Sequence, residues 1–168
     1  ILKKNTNFKN GAKVFLHPVK NPNLYGVATL NNKNKVLKLL EKPKKTKSNL
    51  AVTGLYFFDN KVIQYSKKLK PSKRGELEIV DLINIYIKKS SVKFEEIGRG
   101  ISWLDMGSFE DLNDCSNYIR AIEKRQNFMI SSPEEIAFLN KWITKKTLLQ
   151  ISNKYNNDYG DYLKKLCL

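Results

Sequence analysis

Apolar residues come in short runs over the first hundred positions and at helical spacing after that. Lys13-Val14-Phe15-Leu16-His17-Pro18-Val19 has strand length and is closed by proline. Gly26-Val27-Ala28-Thr29-Leu30 is a second such run, following the turn-forming Asn21-Pro22-Asn23. Asn31-Asn32-Lys33-Asn34 turns the chain into Val36-Leu37-Lys38-Leu39-Leu40, so 26 to 40 is expected to be a hairpin and Pro43 to Asn49 a loop. Leu50 to Phe58 is the most apolar segment, and its length and its β-branched and aromatic content predict a buried central strand ended by Asp59-Asn60. Val62, Tyr65, Ser66 and Leu69 recur at helical spacing up to Pro71, and Leu77 to Ile87 shows a second helical face beyond the loop Ser72-Lys73-Arg74-Gly75. Val92 to Ile97 and Ile101 to Leu104 are strand-like again.

Helix signals dominate the remainder. Ser108-Phe109-Glu110-Asp111 has the form of a capping box, opening a helix on which Phe109, Leu112, Ser116, Ile119 and Ile122 share a face. Ser132-Pro133-Glu134-Glu135 repeats the signal with proline at the first helical position. Thr144 is expected to cap a third helix and Asp158 a fourth. Strands with crossover helices followed by a helical tail define an α/β chain. The opening Ile1-Leu2-Lys3-Lys4, before Asn5, reads as the tail of an element already under way.

Composition narrows the chemistry. The 168 residues suit one compact domain, and 41% hydrophobic content supplies a core. The 31 Lys plus Arg against 16 Asp plus Glu leave a net charge of +15, yet only Arg74, Arg99, Arg120 and Arg125 are arginine. Base edges and phosphates are read best by the planar guanidinium, so a lysine-dominated excess fits a solvated surface better than a nucleic-acid reader. Cys115 and Cys167 form no Cys-x-x-Cys pair, and the expectation is a reduced, cytoplasmic chain. No apolar stretch is long enough to cross a membrane and no secretory leader opens the sequence. His17 is the only histidine, which leaves acid-base work to carboxylates, lysine and tyrosine.

Three segments could carry that chemistry. Glu41-Lys42-Pro43 follows an apolar strand, where a carboxylate can accept hydroxyl hydrogen bonds and an ammonium can meet a phosphate. The plain alternative is an exposed strand end beside the solvated Lys44, Lys45 and Lys47. Arg74-Gly75-Glu76-Leu77-Glu78 sets an arginine in a loop entering a helix, either as an anion site or as a helix start whose glutamates complement the macrodipole. Trp103-Leu104-Asp105-Met106-Gly107 places a carboxylate at a strand end, where open α/β sheets bind ligands and where Mg²⁺ can be held together with substrate phosphates. The alternative there is a turn before Ser108, and His17 beside Pro18 fits a turn or edge better than a ligand.

In order along the chain, these stretches resemble the short-form glucose-1-phosphate thymidylyltransferases, members of the sugar-phosphate nucleotidylyltransferases. The matching segments are Tyr25-Gly26-Val27, Glu41-Lys42-Pro43, Ser48-Asn49 with Ala51 to Phe57, Arg74 to Ile79, Gly98-Arg99-Gly100, Trp103-Leu104-Asp105, Ser132 to Phe138, and Tyr159-Gly160 with Tyr162-Leu163. The resemblance implies the mixed sheet of a Rossmann-like nucleotidyltransferase fold, truncated at its N-terminus, with a C-terminal helical segment. On that reading, 1–107 is the sugar-phosphate half of the domain, and 108–168 is a helical region packed on it for regulatory and oligomer contacts.

The implied reaction joins dTTP and glucose 1-phosphate to give dTDP-glucose and pyrophosphate, a precursor step for dTDP-rhamnose and surface polysaccharide. By resemblance, Tyr25, Gly26, Glu41, Val52 and Tyr56 line the hexose pocket, Lys42 and Arg74 hold the sugar phosphate, and Asp105 is one of two aspartates on a catalytic Mg²⁺. Gly98, Arg99, Ser131, Glu135 and Ile136 match a regulatory nucleotide site. A dimer of dimers is the implied assembly, and neither nucleic acid nor membrane is an implied partner. Met106, Leu40 and Leu139 depart from the family pattern, the last replacing an arginine of the regulatory site.

The family's glycine-rich triphosphate loop, its base-reading residues and its second metal aspartate precede the matching stretch. The isolated chain is therefore expected not to turn over, and Leu50 to Phe58 to have a half-covered side. A related enzyme using UTP or another sugar 1-phosphate is the alternative within the class, and a basic nucleic-acid-binding module the alternative outside it.

Overall fold

The computed structural model describes residues 2–168, with side chains from Lys4 onward. Two compact units follow one another, Ile1–Trp103 and Leu104–Leu168. The expectation about Ile1 lies outside the described residues; Leu2–Asn5 form a turn of helix, α1.

In the first unit the apolar runs become β1 (Ala12–Pro18), β2 (Gly26–Leu30), β3 (Val36–Glu41), β4 (Leu50–Phe58) and β5 (Val92–Glu96). They form one sheet in the order β3-β2-β4-β1-β5. β1 pairs antiparallel with β4 and parallel with β5, while β2 pairs antiparallel with β3 and β4, so the sheet is mixed. The polar-apolar alternation is weak in β1 because it has core on both faces. Val14 and Leu16 pack with Val52, Val80 and Ile83, whereas Phe15 turns the other way, its ring 6.0 Å from that of Phe57.

α2 (Val62–Ser66) and α3 (Ile79–Lys88) lie between β4 and β5 in sequence, and α3 buries Val80, Leu82, Ile83 and Tyr86. Its Asn84 has another use. The side-chain amide accepts from the Leu39 N–H and donates to the Leu39 carbonyl, both at 3.0 Å, supplying edge strand β3 with the pairing a further strand would give.

The expected hairpin is β2–β3, its turn held by Asn31 Oδ1, which accepts from the N–H groups of Lys33 and Lys35. β4 is central, as its composition predicts, and its register on β1 slips between Val14↔Tyr56 and Leu16↔Val52. That bulge lets the Thr53 hydroxyl donate to the Phe15 carbonyl at 3.1 Å. β2 meets β4 only at Val27↔Ala51, so beyond that end the described ladder of β4 runs on the β1 side alone.

Ile101 to Leu104 is not a strand. The Ile101 N–H turns back to the Gly98 carbonyl at 3.0 Å, and no described strand offers this segment a ladder, without which extended backbone has no partner for its polar groups. Trp103 packs instead against Tyr25, ring centroids 5.2 Å apart, and against His17 at 5.7 Å.

The second unit is helical: α4 (Phe109–Gln126), α5 (Pro133–Leu139), α6 (Lys145–Ser152) and α7 (Asp158–Lys165). Ser108, Ser132 and Thr144 cap α4, α5 and α6, each side-chain oxygen accepting from the N–H three residues on. The cap of α7 is Asn157 and not Asp158. Asn157 Oδ1 accepts from the N–H groups of Tyr159 and Gly160, and Asp158 is the first helical residue, where its charge suits the dipole. Leu148, Tyr162, Leu163 and Cys167 form the core of this unit, with Phe138 and Ile151 against them. The apolar face of α4 is mostly solvent-facing: Phe109 is 94% exposed, and Cys115 is the helix's buried residue.

Candidate functional site

Glu41 ends β3 directly opposite Gly26, the first residue of β2. A side chain at Gly26 would put its Cβ 3.0 Å from Val80 Cγ2 and 3.2 Å from Glu41 Oε2, so glycine is what lets the carboxylate lie against the β2 backbone. The same position is in ordinary contact distance of Val52. Burial pushes the Glu41 carboxyl up, and the negative charge of Glu78 adds to this against the opposing pull of Arg74 and Lys42. Tyr56 is near enough to feel it: burial first, then the charge of Glu41, raises its phenol.

Lys42 follows in a left-handed conformation, φ 38°, with its N–H donated to the Tyr25 carbonyl at 3.0 Å. A lysine held there is strained, and a peptide hydrogen bond to the other strand end holds it. Tyr25, Gly26, Glu41, Lys42 and Val52 thus come together at one end of the hairpin, and Tyr56, farther along β4, lies within the electrostatic reach of Glu41.

Arg74 arrives from the loop before α3. That loop is tightened by the Ser72 N–H to the Glu76 carbonyl and by Gly75 at φ 80°. The guanidinium meets three carboxylates: Nη1 lies 3.4 Å from both Glu41 Oε1 and Glu78 Oε1, and Nη2 lies 3.0 Å from Glu76 Oε2. The Ser72 hydroxyl donates to Glu78 Oε1 at 2.8 Å. A cleft of about 420 Å³ opens here, lined by Leu40, Glu41, Ser72, Arg74, Glu78 and Asn84 among others. Ser72 and Glu78 were not among the expected site residues; only the fold of the loop onto α3 brings them in. A second cleft of about 430 Å³, at the Asp59 end of β4, has Lys61, Lys89 and Lys93 on its walls and none of the expected residues. His17 lies in β1, and its Nδ1 is buried without a hydrogen-bond partner beside the Trp103 ring.

Asp105 lies in the second unit, in the segment before α4, and is exposed. Gly107 leaves room beside its carboxylate, since a Cβ there would lie 2.9 Å from Asp105 Oδ2. Among the described residues no group of three or more His, Cys, Asp or Glu forms a metal cage. One hard, accessible carboxylate still fits Mg²⁺, an ion that takes one or two carboxylates and completes its shell with water and substrate phosphates. Of the expected regulatory residues, Gly98 and Arg99 sit in the exposed turn after β5 in the first unit, and Ser131, Glu135 and Ile136 belong to the second. Ser131 is left-handed at φ 59°, and Glu135 accepts from the Tyr162 hydroxyl at 2.5 Å.

A family model described as nucleotidyl transferase matches residues 1–122. Curated relatives named glucose-1-phosphate thymidylyltransferase include those of Neisseria meningitidis (41% identical, covering 94% of this chain and 55% of the relative) and Xanthomonas campestris (45%, covering 92% and 53%). That of Mycobacterium tuberculosis is 40% identical, covering 94% and 55%. The chain therefore spans about half the length of the curated relatives it matches. Among solved structures, a "Putative Glucose-1-Phosphate Thymidylyltransferase" of Bacillus anthracis in complex with a sucrose superposes with a TM-score of 0.61 at 43% identity, covering 70% of this chain and 46% of that one. A UDP-glucose pyrophosphorylase complexed with UDP-glucose shares the fold, with a TM-score of 0.57 at 24% identity, covering 64% and 43%. With the family model spanning residues 1–122 and the mixed sheet superposing on a solved relative at 43% identity, the chain belongs to the nucleotidyl transferase family.

Proposed function

We propose that this chain supplies the sugar-phosphate side of a glucose-1-phosphate thymidylyltransferase, which joins glucose 1-phosphate to dTTP and releases pyrophosphate. The observation that carries the reading is the Glu41–Gly26 arrangement with Arg74 Nη1 3.4 Å from the same carboxylate. A carboxylate that can accept from hexose hydroxyls and a guanidinium that can donate to a phosphate then share one cleft. The names of the relatives at 40–45% identity support dTTP as the nucleotide.

In this role Glu41 accepts hexose hydroxyl hydrogen bonds, and Tyr25, Val52 and Tyr56, which do not line the cleft of Glu41 and Arg74, are assigned to the hexose by the family resemblance. Lys42 and Arg74 hold the sugar phosphate, offset its charge and orient the oxygen that attacks the nucleotide α-phosphorus in line. Asp105 would hold Mg²⁺, which when bound supplies charge neutralisation for the departing pyrophosphate. By resemblance, Gly98 and Arg99 in the first unit, and separately Ser131, Glu135 and Ile136 in the second, are proposed as residues that respond to a regulatory nucleotide, with Leu139 in place of a guanidinium weakening the second unit's hold on an anion. The 168 residues bind the sugar phosphate without turning it over, and the whole enzyme works as a homo-oligomer.

Equilibrium binding of glucose 1-phosphate, glucose and inorganic phosphate to the chain tests the reading. Glucose 1-phosphate binds best of the three, and Lys42→Ala weakens it by roughly tenfold, the worth of one charge-assisted contact. Equal binding of all three, or a Lys42→Ala variant indistinguishable from the wild type, would contradict it.

A further inference from the structure

Glu78 is a carboxylate of the cleft to which the sugar-phosphate reading gives no part, and its side chain is only 11% exposed. Its Oε1 accepts from the Ser72 hydroxyl at 2.8 Å and lies 3.4 Å from Arg74 Nη1. The same nitrogen lies 3.4 Å from Glu41 Oε1. One guanidinium nitrogen therefore stands between two carboxylates brought from different elements, the last residue of β3 and the residue before α3.

Arg74 needs such a tether. It sits in a loop turned by Gly75 in the left-handed region, and an arginine side chain on such a loop samples many rotamers unless something holds it. Glu76 is a poor candidate, because its side chain is 61% exposed and a solvated ion pair of that kind holds little. Glu78 is fixed twice, by Ser72 and by the start of α3, whose next buried residues Val80 and Ile83 are in the core.

We propose that Glu78 is a positioning residue: anchored by Ser72, it keeps Nη1 of Arg74 beside Glu41, so that the rest of the guanidinium is left for the phosphate of a hexose held on Glu41. The proposal rests on the sugar-phosphate reading of the cleft. It also gives Glu76 a place, as the exposed carboxylate that the phosphate displaces from Nη2. The two contacts on Nη1 consume one edge of a five-donor fork and leave the others for a bidentate partner.

The sign of the effect separates positioning from plain electrostatics. Removing a negative charge beside an anion site by itself tightens anion binding. Loss of positioning weakens it, because phosphate and hexose must be met together.

The experiment compares the wild-type chain with Glu78→Gln and Ser72→Ala. It measures the order of the Arg74 Nε–Hε group by ¹⁵N relaxation without ligand, the affinity for glucose 1-phosphate, and the melting temperature. Glu78→Gln keeps the shape and the Ser72 bond but loses the charge-assisted hold. It is expected to release Arg74 and to weaken glucose 1-phosphate on the order of tenfold, as loss of a hydrogen bond to a charged group does. Ser72→Ala moves both readouts in the same direction by less, and carries the test alone should Glu78→Gln fail to fold. An Arg74 as ordered in the variants as in the wild type, or tighter binding by Glu78→Gln, overturns the proposal, as does a fall in melting temperature with both readouts unmoved. If the variants release Arg74 while no form of the chain binds glucose 1-phosphate, the tether stands and the sugar-phosphate reading falls.

Discussion

At Lys42 the backbone carries an unusual burden for a residue other than glycine, a φ of 38° held by the bond to Tyr25. Replacing it by glycine relieves strain of about 1 kcal/mol and loses a similar amount to the freer unfolded chain. Lys42→Gly should therefore melt close to the wild type while losing glucose 1-phosphate affinity as Lys42→Ala does. A glycine variant that binds normally would show that the ammonium is not used. Gly26→Ala acts in the opposite sense. Its methyl meets Val80, which is fixed in the core, and turns the Glu41 carboxylate aside, so a urea melt should show a loss of about 1–3 kcal/mol alongside weakened sugar-phosphate binding. Glu41, Lys42 and Arg74 enter as candidates from the sequence through residue type and place, a carboxylate and an ammonium after an apolar strand and an arginine in a loop, and it is the ordered resemblance that singles them out from the plain alternatives. Ser72 and Glu78 are not, because their place follows from how a loop folds back on α3.

Between α5 and α7 the tie is a polar one. The Tyr159 hydroxyl donates to Glu134, lies 2.8 Å from Ser132 Oγ, and is pushed up to about 12, burial being the larger cause and Glu134 the next. In turn the Tyr159 hydrogen bond holds the Glu134 carboxyl below its ordinary value of 4.5. A depressed carboxylate contributes stability that is complete above the unfolded value and lost as pH falls through the folded one. Melts between pH 7 and pH 3 should show this acid-side loss in the wild type, and Tyr159→Phe should be less stable at pH 7 with a shallower acid limb. Identical acid limbs would remove the tie from the account. The hairpin, β4 and three caps are legible because turn residues and local spacing determine them. The strand expected at Ile101 to Leu104 is absent because a strand depends on a neighbour, which local pattern does not report. The bulge at Phe15 is invisible for the same reason, since it is a matter of register against β4, and the Thr53–Phe15 bond it admits spans 38 positions.

For the whole molecule, the charge of +15 and the two units set different expectations. No described helix is long and apolar enough to cross a membrane. Lysines spread over loops bind random single strands weakly, so binding should vanish at about 0.15 M salt, where exposed charges are screened beyond about 8 Å. Retention with a steep salt slope would instead favour a nucleic-acid module. β4, laddered mainly on one side, and the exposed face of α4 should make the isolated chain prone to association, visible as concentration-dependent sedimentation. A ¹H–¹⁵N map of the chain titrated with glucose 1-phosphate tests most directly whether Glu41, Lys42 and Arg74 hold a sugar phosphate. Shifts are expected at Gly26, Glu41, Lys42 and Arg74, saturating together. No shifts, or shifts confined to the cleft of Lys61, Lys89 and Lys93, would contradict the account.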